Sequence, residues 1–586
     1  MKIAIIGAGP RGLLIVQQIL AQLPKAQVKL FDPFSIGGQT WQTDQPANLI
    51  MNTPAEQVQE FDFVPNLFEW SQEQAEGFIK SESAISDDLV QDLRGLAANG
   101  YPTRRLFGAY LQFCFQNLPV TEHLKVEKSL VSKIEQQDGQ WRLSWESHQE
   151  NFDQVVVTIN SGREKLRGQT KTLLEGAQRN NLVYQVPNVQ MPTELIANIS
   201  AGENVIIRGL GLNFYDILAQ FLAHWQGDFY RDHENLLQYQ SSGKEQHLIV
   251  GSRNGLPHYP RPLNQDGPDS ERQGRFLSVE GVKSWAATRG CTYYQAFDQL
   301  VRLEVELAYY KRQLEIKGDF DCVQFEKDFM AQAGLPTIYN LQPLDWSAVL
   351  NPLQNVTDSN YQSQALNWLD QVTADANRGS RHGLLLTGLD AIRGLYNTIR
   401  DIYIDPVISD DNFKNQFLTG FARHFTFLIS GAPSFRLEQL SALIRAGVVE
   451  LLPPKMEVEI ISGKFQAFSS LTANNKFSAN YLLEARQPSR NLADSDNPLI
   501  KNLLVEGQPT HRILKVNGQK IDLACPHINE HYQIFNKDNQ LVESLFVFSQ
   551  LNEGERWLTN VCPRSGDDYD RRAAQMIVQT IQFNLS

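Results

Sequence analysis

Within its first two dozen residues the chain passes from an apolar run, Lys2-Ile-Ala-Ile-Ile6, through Gly7-Ala-Gly9-Pro10-Arg11-Gly12 into Leu, Ile and Val at helical spacing over 13–23. A second apolar run, Val28-Lys-Leu-Phe-Asp32, follows at once. Strand, turn, helix and strand joined this tightly imply two parallel strands with a right-handed crossover. Each glycine meets a steric need: a tight turn, close approach of a phosphate to backbone, and close packing of helix on strand. The helix start turns its free amides toward that phosphate. Asp32, ending the second strand, is placed to accept hydrogen bonds from a ribose diol, so the pattern predicts a Rossmann-like dinucleotide unit.

The next residues favour FAD over NAD as the ligand of that unit. Asp32-Pro33-Phe-Ser-Ile-Gly37-Gly38-Gln39-Thr40-Trp41 places two glycines just past the ribose-binding strand. Two-dinucleotide flavoproteins bring backbone close to the isoalloxazine end at this point. Together with Leu49–Pro54, which contains Asn52, and Tyr101-Pro-Thr-Arg-Arg-Leu-Phe-Gly108, these segments resemble the FAD-NAD(P)-binding family, a broad set related in architecture to the flavin N-hydroxylases. The resemblance continues through Gly209–Asp216, Tyr239–Glu245 and Gly251–Pro257, which are similar to segments of large bacterial members with a helical insertion. It implies fold and cofactor and leaves the substrate open.

Two further stretches carry the same resemblance. Asn160-Ser-Gly162, after the run Gln154–Ile159, is similar to the turn where such flavoproteins pass from FAD domain to NAD(P) domain, although Ile-Asn-Ser replaces the usual small residues. Ser565-Gly566-Asp567-Asp568-Tyr569 precedes the last helical run, and similar proteins offer a helix start there to the flavin. Simple N-capping by Asp567 or Asp568 accounts for those carboxylates equally well.

A second strand-turn-helix starts at Asn204-Val-Ile-Ile-Arg208. Its fingerprint is incomplete, since Gly209 and Gly211 are present and Phe214 occupies the third glycine position. Phe214 either spaces the helix from the strand with the turn intact or blocks the dinucleotide. Ser252 and Arg253 follow the next strand, His247–Val250, where a hydroxyl and a guanidinium suit a 2′-phosphate; NADPH is therefore preferred over NADH.

At 586 residues the chain exceeds one ordinary core. The expected α/β architecture has a discontinuous FAD-binding domain (1–165 and 470–586), an NAD(P)-binding Rossmann-like domain (190–262) and a mainly helical insertion (263–469) that forms a substrate or lid region. A formal charge of −13 disfavours nucleic acid as a partner. The five cysteines lack a Cys-x-x-Cys pair, which excludes dithiol flavin chemistry and zinc-type spacing and suits a reducing cytoplasm. No apolar run is long enough for a bilayer, so no membrane is expected. Glu553, Glu555, Asp567, Asp568 and Asp570 cluster without a metal-loop pattern, so no metal is expected either.

Catalytic residues are not identified, because flavin chemistry asks little of protein acids and bases. His258, His424 and Arg436 could meet a substrate, and each has a packing or ion-pair role as its simpler explanation. Tyr309, Tyr310, Trp346 and Trp368 read first as core. The expected function is an FAD-dependent oxidoreductase that uses NADPH, of monooxygenase type, acting on a small molecule. The alternatives are a flavin dehydrogenase or oxidase with an idle second site, and a non-catalytic flavin-binding regulator.

Overall fold

The computed structural model describes all residues except 120–121, 161, 163, 189–191, 268–273, 319–320, 355–359, 489–490, 560–561, 567 and 585–586, and except the side chains of 473–475. In chain order the elements that matter begin with β1 (Lys2–Ile6), α1 (Pro10–Gln22) and β2 (Gln27–Phe31), followed by α2 (Arg104–Gln116), β3 (Leu124–Glu127) and β4 (Gln154–Val157). Next come β5 (Val183–Gln185), β6 (Asn204–Arg208), α3 (Leu212–Trp225) and β7 (His247–Gly251). A run of helices from Val279 to Arg445 includes α4 (Leu385–Gly394) and α5 (Tyr396–Ile404). The chain closes with β8 (Val449–Leu451), β9 (Tyr481–Glu484), β10 (Gln533–Phe535), β11 (Leu541–Val547) and α6 (Tyr569–Phe583).

Two sheets organise these elements. The first has the order β10-β11-β4-β1-β2-β3, parallel except where β10 meets β11. Ile5 stands beside Leu30 on one side and Val156 on the other, so β1 is central and buried on both faces. That explains its unbroken apolar sequence. The second sheet, β8-β7-β6-β9-β5, is parallel throughout.

Three sequence expectations are corrected here. Tyr481–Glu484, counted with the FAD domain from 470 onward, pairs in parallel with β6 of the second sheet. Its Leu482 and Leu483 are fully buried there, where an apolar strand between two neighbours belongs. The helical insertion ends at Arg445, because Val449–Leu451 adds an edge strand beside β7. The alternating sequence over 124–134, which predicts a single strand, forms two in different sheets, β3 and Val131–Gln137.

The second unit and the helical block share one core. Phe214, Phe221 and Trp225 of α3 belong to the same apolar cluster as Tyr259, Phe297, Phe417 and Trp557. A separate cluster holds the first sheet, α1, α2 and α6. The helical block is thus fused to the second unit and meets the first through polar contacts and through Trp557, which packs on Phe425 at 4.7 Å and Phe417 at 5.0 Å. Arg104 of α2 pairs with the buried Asp216 of α3 at 2.5 Å, and Arg436 donates to the Asn48 carbonyl at 3.0 Å. Among the described residues, no helix is long and apolar enough to cross a membrane.

Candidate functional site

The first glycine turn lies at the carboxyl edge of the first sheet. Gly7 has φ +117°, a conformation an L side chain resists, and a Cβ there would lie 2.5 Å from Thr158 Oγ1. Gly12 is tighter still: its Cβ would stand 1.9 Å from the Gly7 carbonyl oxygen, so helix and strand touch backbone to backbone. Gly9 differs. It N-caps α1 without any side-chain cap, Pro10 follows it, and a Cβ on Gly9 would meet open space. The first-turn amides therefore face an unfilled region beside the positive end of a helix dipole, the setting an anionic phosphate needs.

Asp32 closes the other side of this turn. Its Oδ2 accepts from the Ala8 amide at 2.9 Å and its Oδ1 from the Phe34 amide at 2.8 Å. Burial pushes the carboxyl above its ordinary value, and these two amides pull it back. The Gly37–Gly38 loop folds onto the same place. Gly37 donates to the Ala8 carbonyl at 2.9 Å, and a Gly38 Cβ would lie 3.3 Å from Asp32 Oδ2 and 3.5 Å from the Gly9 nitrogen. Pro33 and Gln39 are exposed on this loop, Thr40 offers its carbonyl to Gln45, and Trp41 packs edge-on against Phe107 at 4.8 Å.

The remaining sequence candidates spread over two further places. Asn52 donates to the Gly431 carbonyl of the helical block at 3.1 Å, its own carbonyl accepts from Arg261 at 2.5 Å, and its buried Oδ1 has no partner. Gly162, with φ +73°, lies beside Asn497 where the outgoing and returning connections run together, the Glu164–Ser495 bridge being next to it. Gly566 is an exposed left-handed residue ahead of α6, with Asp567 outside the described residues. Asp568 caps α6 by accepting from the Arg571 amide at 3.0 Å.

The second turn repeats the first with one change. Gly209 has φ +126° and Gly211 N-caps α3 with no side-chain cap. Phe214 is fully buried in the shared core, so the third glycine position carries a packing side chain, and its amide donates to the Gly211 carbonyl at 3.1 Å. A small cleft lined by Gln185, Asn213, Ile217 and Glu484 opens beside it. Ser252 Oγ accepts from the Gly255 amide at 3.0 Å, and Arg253 projects into solvent past the end of β7. Since β7 lies next to β6, Arg253 stands where a second-strand residue meets an adenosine ribose.

Of the catalytic candidates, His258 reaches the second turn: its ring lies 3.7 Å from the place a Gly211 Cβ would take. Burial holds its imidazole below the usual value. His424 is half-buried and lowered for the same reason, and Arg436 is bound to the Asn48 carbonyl. Tyr310 and Trp368 pack in the shared core, with Tyr309 and Trp346 against it.

Sequence reasoning missed a group of arginines, three buried and Arg564 half-buried, at the junction of both units with the helical block. Arg261, Arg400, Arg556 and Arg564 form no ion pair with a carboxylate among the described residues. Arg564 and Arg400 both lie over the Tyr396 ring, at 4.9 and 5.6 Å, and Arg400 also covers Tyr569 at 4.7 Å. Burial, with nearby Arg393 adding to it, brings the Arg261 guanidinium down to about 9. The available signal was Arg393, Tyr396 and Arg400 at i, i+3 and i+7 in an otherwise apolar stretch. Helical periodicity alone reads such residues as a solvated face.

Two glycine turns with uncapped helix starts, one in each parallel sheet, define a two-dinucleotide flavoprotein. Residues 4–161 match the FAD-NAD(P)-binding family, so the N-terminal unit is a domain of that kind and the resemblance read from its motifs holds. The chain is an FAD-dependent NAD(P)H oxidoreductase of monooxygenase-like type. Along almost its whole length it is similar to L-aspartate N-monooxygenases (nitrosuccinate-forming). That of Streptomyces davaonensis is 27% identical over 96% of this chain and 94% of its own. The Streptomyces cremeus enzyme is 29% identical over 97% of this chain and 92% of its own. Nitrosuccinic acid synthase of Aspergillus oryzae is 27% identical over 96% of this chain and 90% of its own.

Proposed function

We propose that this protein is an NADPH-dependent flavin monooxygenase that oxygenates the amine nitrogen of L-aspartate. The observation that carries the reading is the extent of the likeness: it runs through the second unit and the helical block as well as the N-terminal domain. FAD held here would supply hydride acceptance from NADPH and activation of dioxygen, each round placing one oxygen atom on the nitrogen and releasing the other as water. The first round gives the hydroxylamine, and nitrosuccinate needs successive rounds, each using one NADPH and one dioxygen. The protein supplies orientation and electrostatics.

In this reading the amides after Gly9 hold the FAD pyrophosphate, with Gly7 and Gly12 fixing the turn. Asp32 accepts from the adenosine ribose with the lone pairs its two backbone donors leave. The Gly37–Trp41 loop and Asn52 border the flavin, while Gly162 and the segment around Gly566 and Asp567 close its far side. The uncapped amides after Gly211 hold the NADPH pyrophosphate, and Ser252 and Arg253 take the 2′-phosphate, a dianion that an exposed guanidinium recognises in bidentate fashion. The FAD domain is then 1–165 plus the chain beyond Glu484. Five free cysteines suit a cytoplasmic setting, and the net charge of −13 makes nucleic acid an unfavourable partner.

The test is NADPH consumption by the FAD-loaded protein in air. L-Aspartate is expected to raise it and to yield nitrosuccinate by mass spectrometry, with L-asparagine and L-ornithine inactive. Consumption indifferent to L-aspartate, with no N-oxygenated product, rejects the assignment.

A further inference from the structure

The second glycine turn has a neighbour that the first lacks. A Cβ on Gly9 would meet open space, whereas one on Gly211 would lie 3.7 Å from Cε1 of His258. Gly211 is the position where a dinucleotide fingerprint brings pyrophosphate against backbone, so the imidazole borders the space an NADPH pyrophosphate needs. Two contacts fix the ring there. Its Nδ1 donates to the Ser430 carbonyl of the helical block at 3.4 Å, and Phe427 packs edge-on against it at 6.3 Å. Gly431, the next residue along, is held from the other side, its carbonyl accepting from Asn52 at 3.1 Å.

A carbonyl only accepts, so Nδ1 carries a hydrogen and the neutral ring leaves Nε2 as a bare lone pair. Among the described residues Nε2 bonds to no protein group. Facing a pyrophosphate, that lone pair repels; protonated, the same nitrogen is a charge-assisted donor. The protein itself does not charge the ring, since burial lowers its pKa and only the Ser430 carbonyl opposes. Charged groups on the neighbouring elements are engaged elsewhere. On its own loop Arg253 is exposed, and Arg261 is bound to the Asn52 carbonyl and Gln57. Asp216 of α3 is closed by Arg104, and Glu484 of β9 by Arg208 and Arg486. On the helix Ala422–Ile429, which carries Phe427, His424 answers to Arg423, Asp298 and Arg302. Arg436 of the helix Ser434–Arg445 is bound to the Asn48 carbonyl. The charge that protonates His258 must therefore arrive with the ligand.

We propose that His258 is a proton-accepting ligand of the NADPH pyrophosphate: nucleotide binding protonates Nε2, which then donates to a phosphate oxygen, so nucleotide and proton are taken up together. This rests on the reading of the second turn as the NADPH site. An anion that raises the imidazole pKa makes binding strongest at low pH and weakens it as pH rises through the bound-state value. The 2′-phosphate works in the opposite sense, because it loses its second proton at about pH 6 and Arg253 favours the dianion.

The test is isothermal titration calorimetry of NADP+ into the FAD-loaded protein, in buffers of different ionisation enthalpy, which counts the protons taken up per nucleotide. His258→Asn keeps an amide donor at the Nδ1 position for the Ser430 carbonyl and cannot become charged. At pH 7 wild type is expected to take up roughly half a proton more than His258→Asn. Its affinity advantage over the variant, about fivefold or more at pH 6, disappears by about pH 9. The 2′-phosphate is common to both titrations and cancels in that ratio. His258→Gln, with a neutral donor near the Nε2 position, loses the same proton and serves where His258→Asn does not fold. Equal proton counts and a pH-independent affinity ratio, with NADP+ bound by both proteins, overturn the role of His258 and leave the second turn as the nucleotide site. A wild type that binds no NADP+ at any of these pH values rejects the site itself, and the proposal with it.

Discussion

One added carbon separates the roles of two glycines in the first turn. Gly12→Ala drives a Cβ to 1.9 Å from a backbone oxygen that cannot move aside, so it destabilises the FAD domain by about 1–3 kcal/mol in thermal unfolding. Gly9→Ala places its carbon in open space. The cofactor-free fold tolerates it, while FAD affinity falls roughly tenfold or more in a flavin fluorescence titration. Equal FAD affinity in Gly9→Ala and wild type would contradict the placing of the pyrophosphate. Arg253→Ala is expected to lower kcat/KM for NADPH by about tenfold to a hundredfold and to leave NADH unaffected. Steady-state rates with the two nucleotides decide it.

Glu60 is legible only in the structure. It is fully buried, neither carboxyl oxygen has a partner, and burial pushes its pKa well above the ordinary 4.5, with Arg571 opposing and Asp568 and Asp570 assisting. A carboxyl raised on folding holds an extra proton in the native state. Its contribution is whole below the unfolded value and is lost as pH rises toward the folded one. Glu60→Gln keeps the shape without that loss. It should raise the Tm near pH 8 by the equivalent of about 1–3 kcal/mol and leave it unchanged near pH 4. A Tm gain that does not grow with pH counts against a protonated Glu60.

At the scale of elements, the two turns show how far a fingerprint can be read. Gly209 and Gly211 reproduce the conformations of Gly7 and Gly9, and Phe214 departs from Gly12 because α3 also carries the core of the helical block. Phe214→Ala should therefore cost about 3–5 kcal/mol in denaturant unfolding without tightening NADPH. Tighter NADPH binding would mean that Phe214 obstructs the site. Strands flanked by glycine turns were legible, since a short apolar run before a glycine allows few alternatives, and the periodicity over 569–583 predicts the helix that forms there as α6. The return strands Val449–Leu451 and Tyr481–Glu484 were not, because such short runs acquire meaning only from neighbours distant in sequence. The apolar periodicity over 389–404 predicts a single helix, and the structure breaks it at Leu395 into α4 and α5. No proline or helix-interior turn signal marks that break; the one glycine, Gly394, is tolerated in many helices.

At the scale of the whole molecule, each glycine turn is a local feature, and local sequence was enough to find its strand, turn and helix. The junction joins Asn52, Arg261, Arg400 and Arg564, residues far apart in the chain that meet only once the fold is made. The helical insertion, read from the sequence as a region of its own over 263–469, instead shares its core with α3 of the second unit. The central claim is that both dinucleotide sites and this junction act in one oxygenation. Its most direct test is turnover of L-aspartate with NADPH under isotopically labelled dioxygen, followed by mass spectrometry of the product. The account predicts label on the product nitrogen, dependent on NADPH. NADPH oxidation that reduces dioxygen to hydrogen peroxide alone, with no labelled product from L-aspartate, would contradict it.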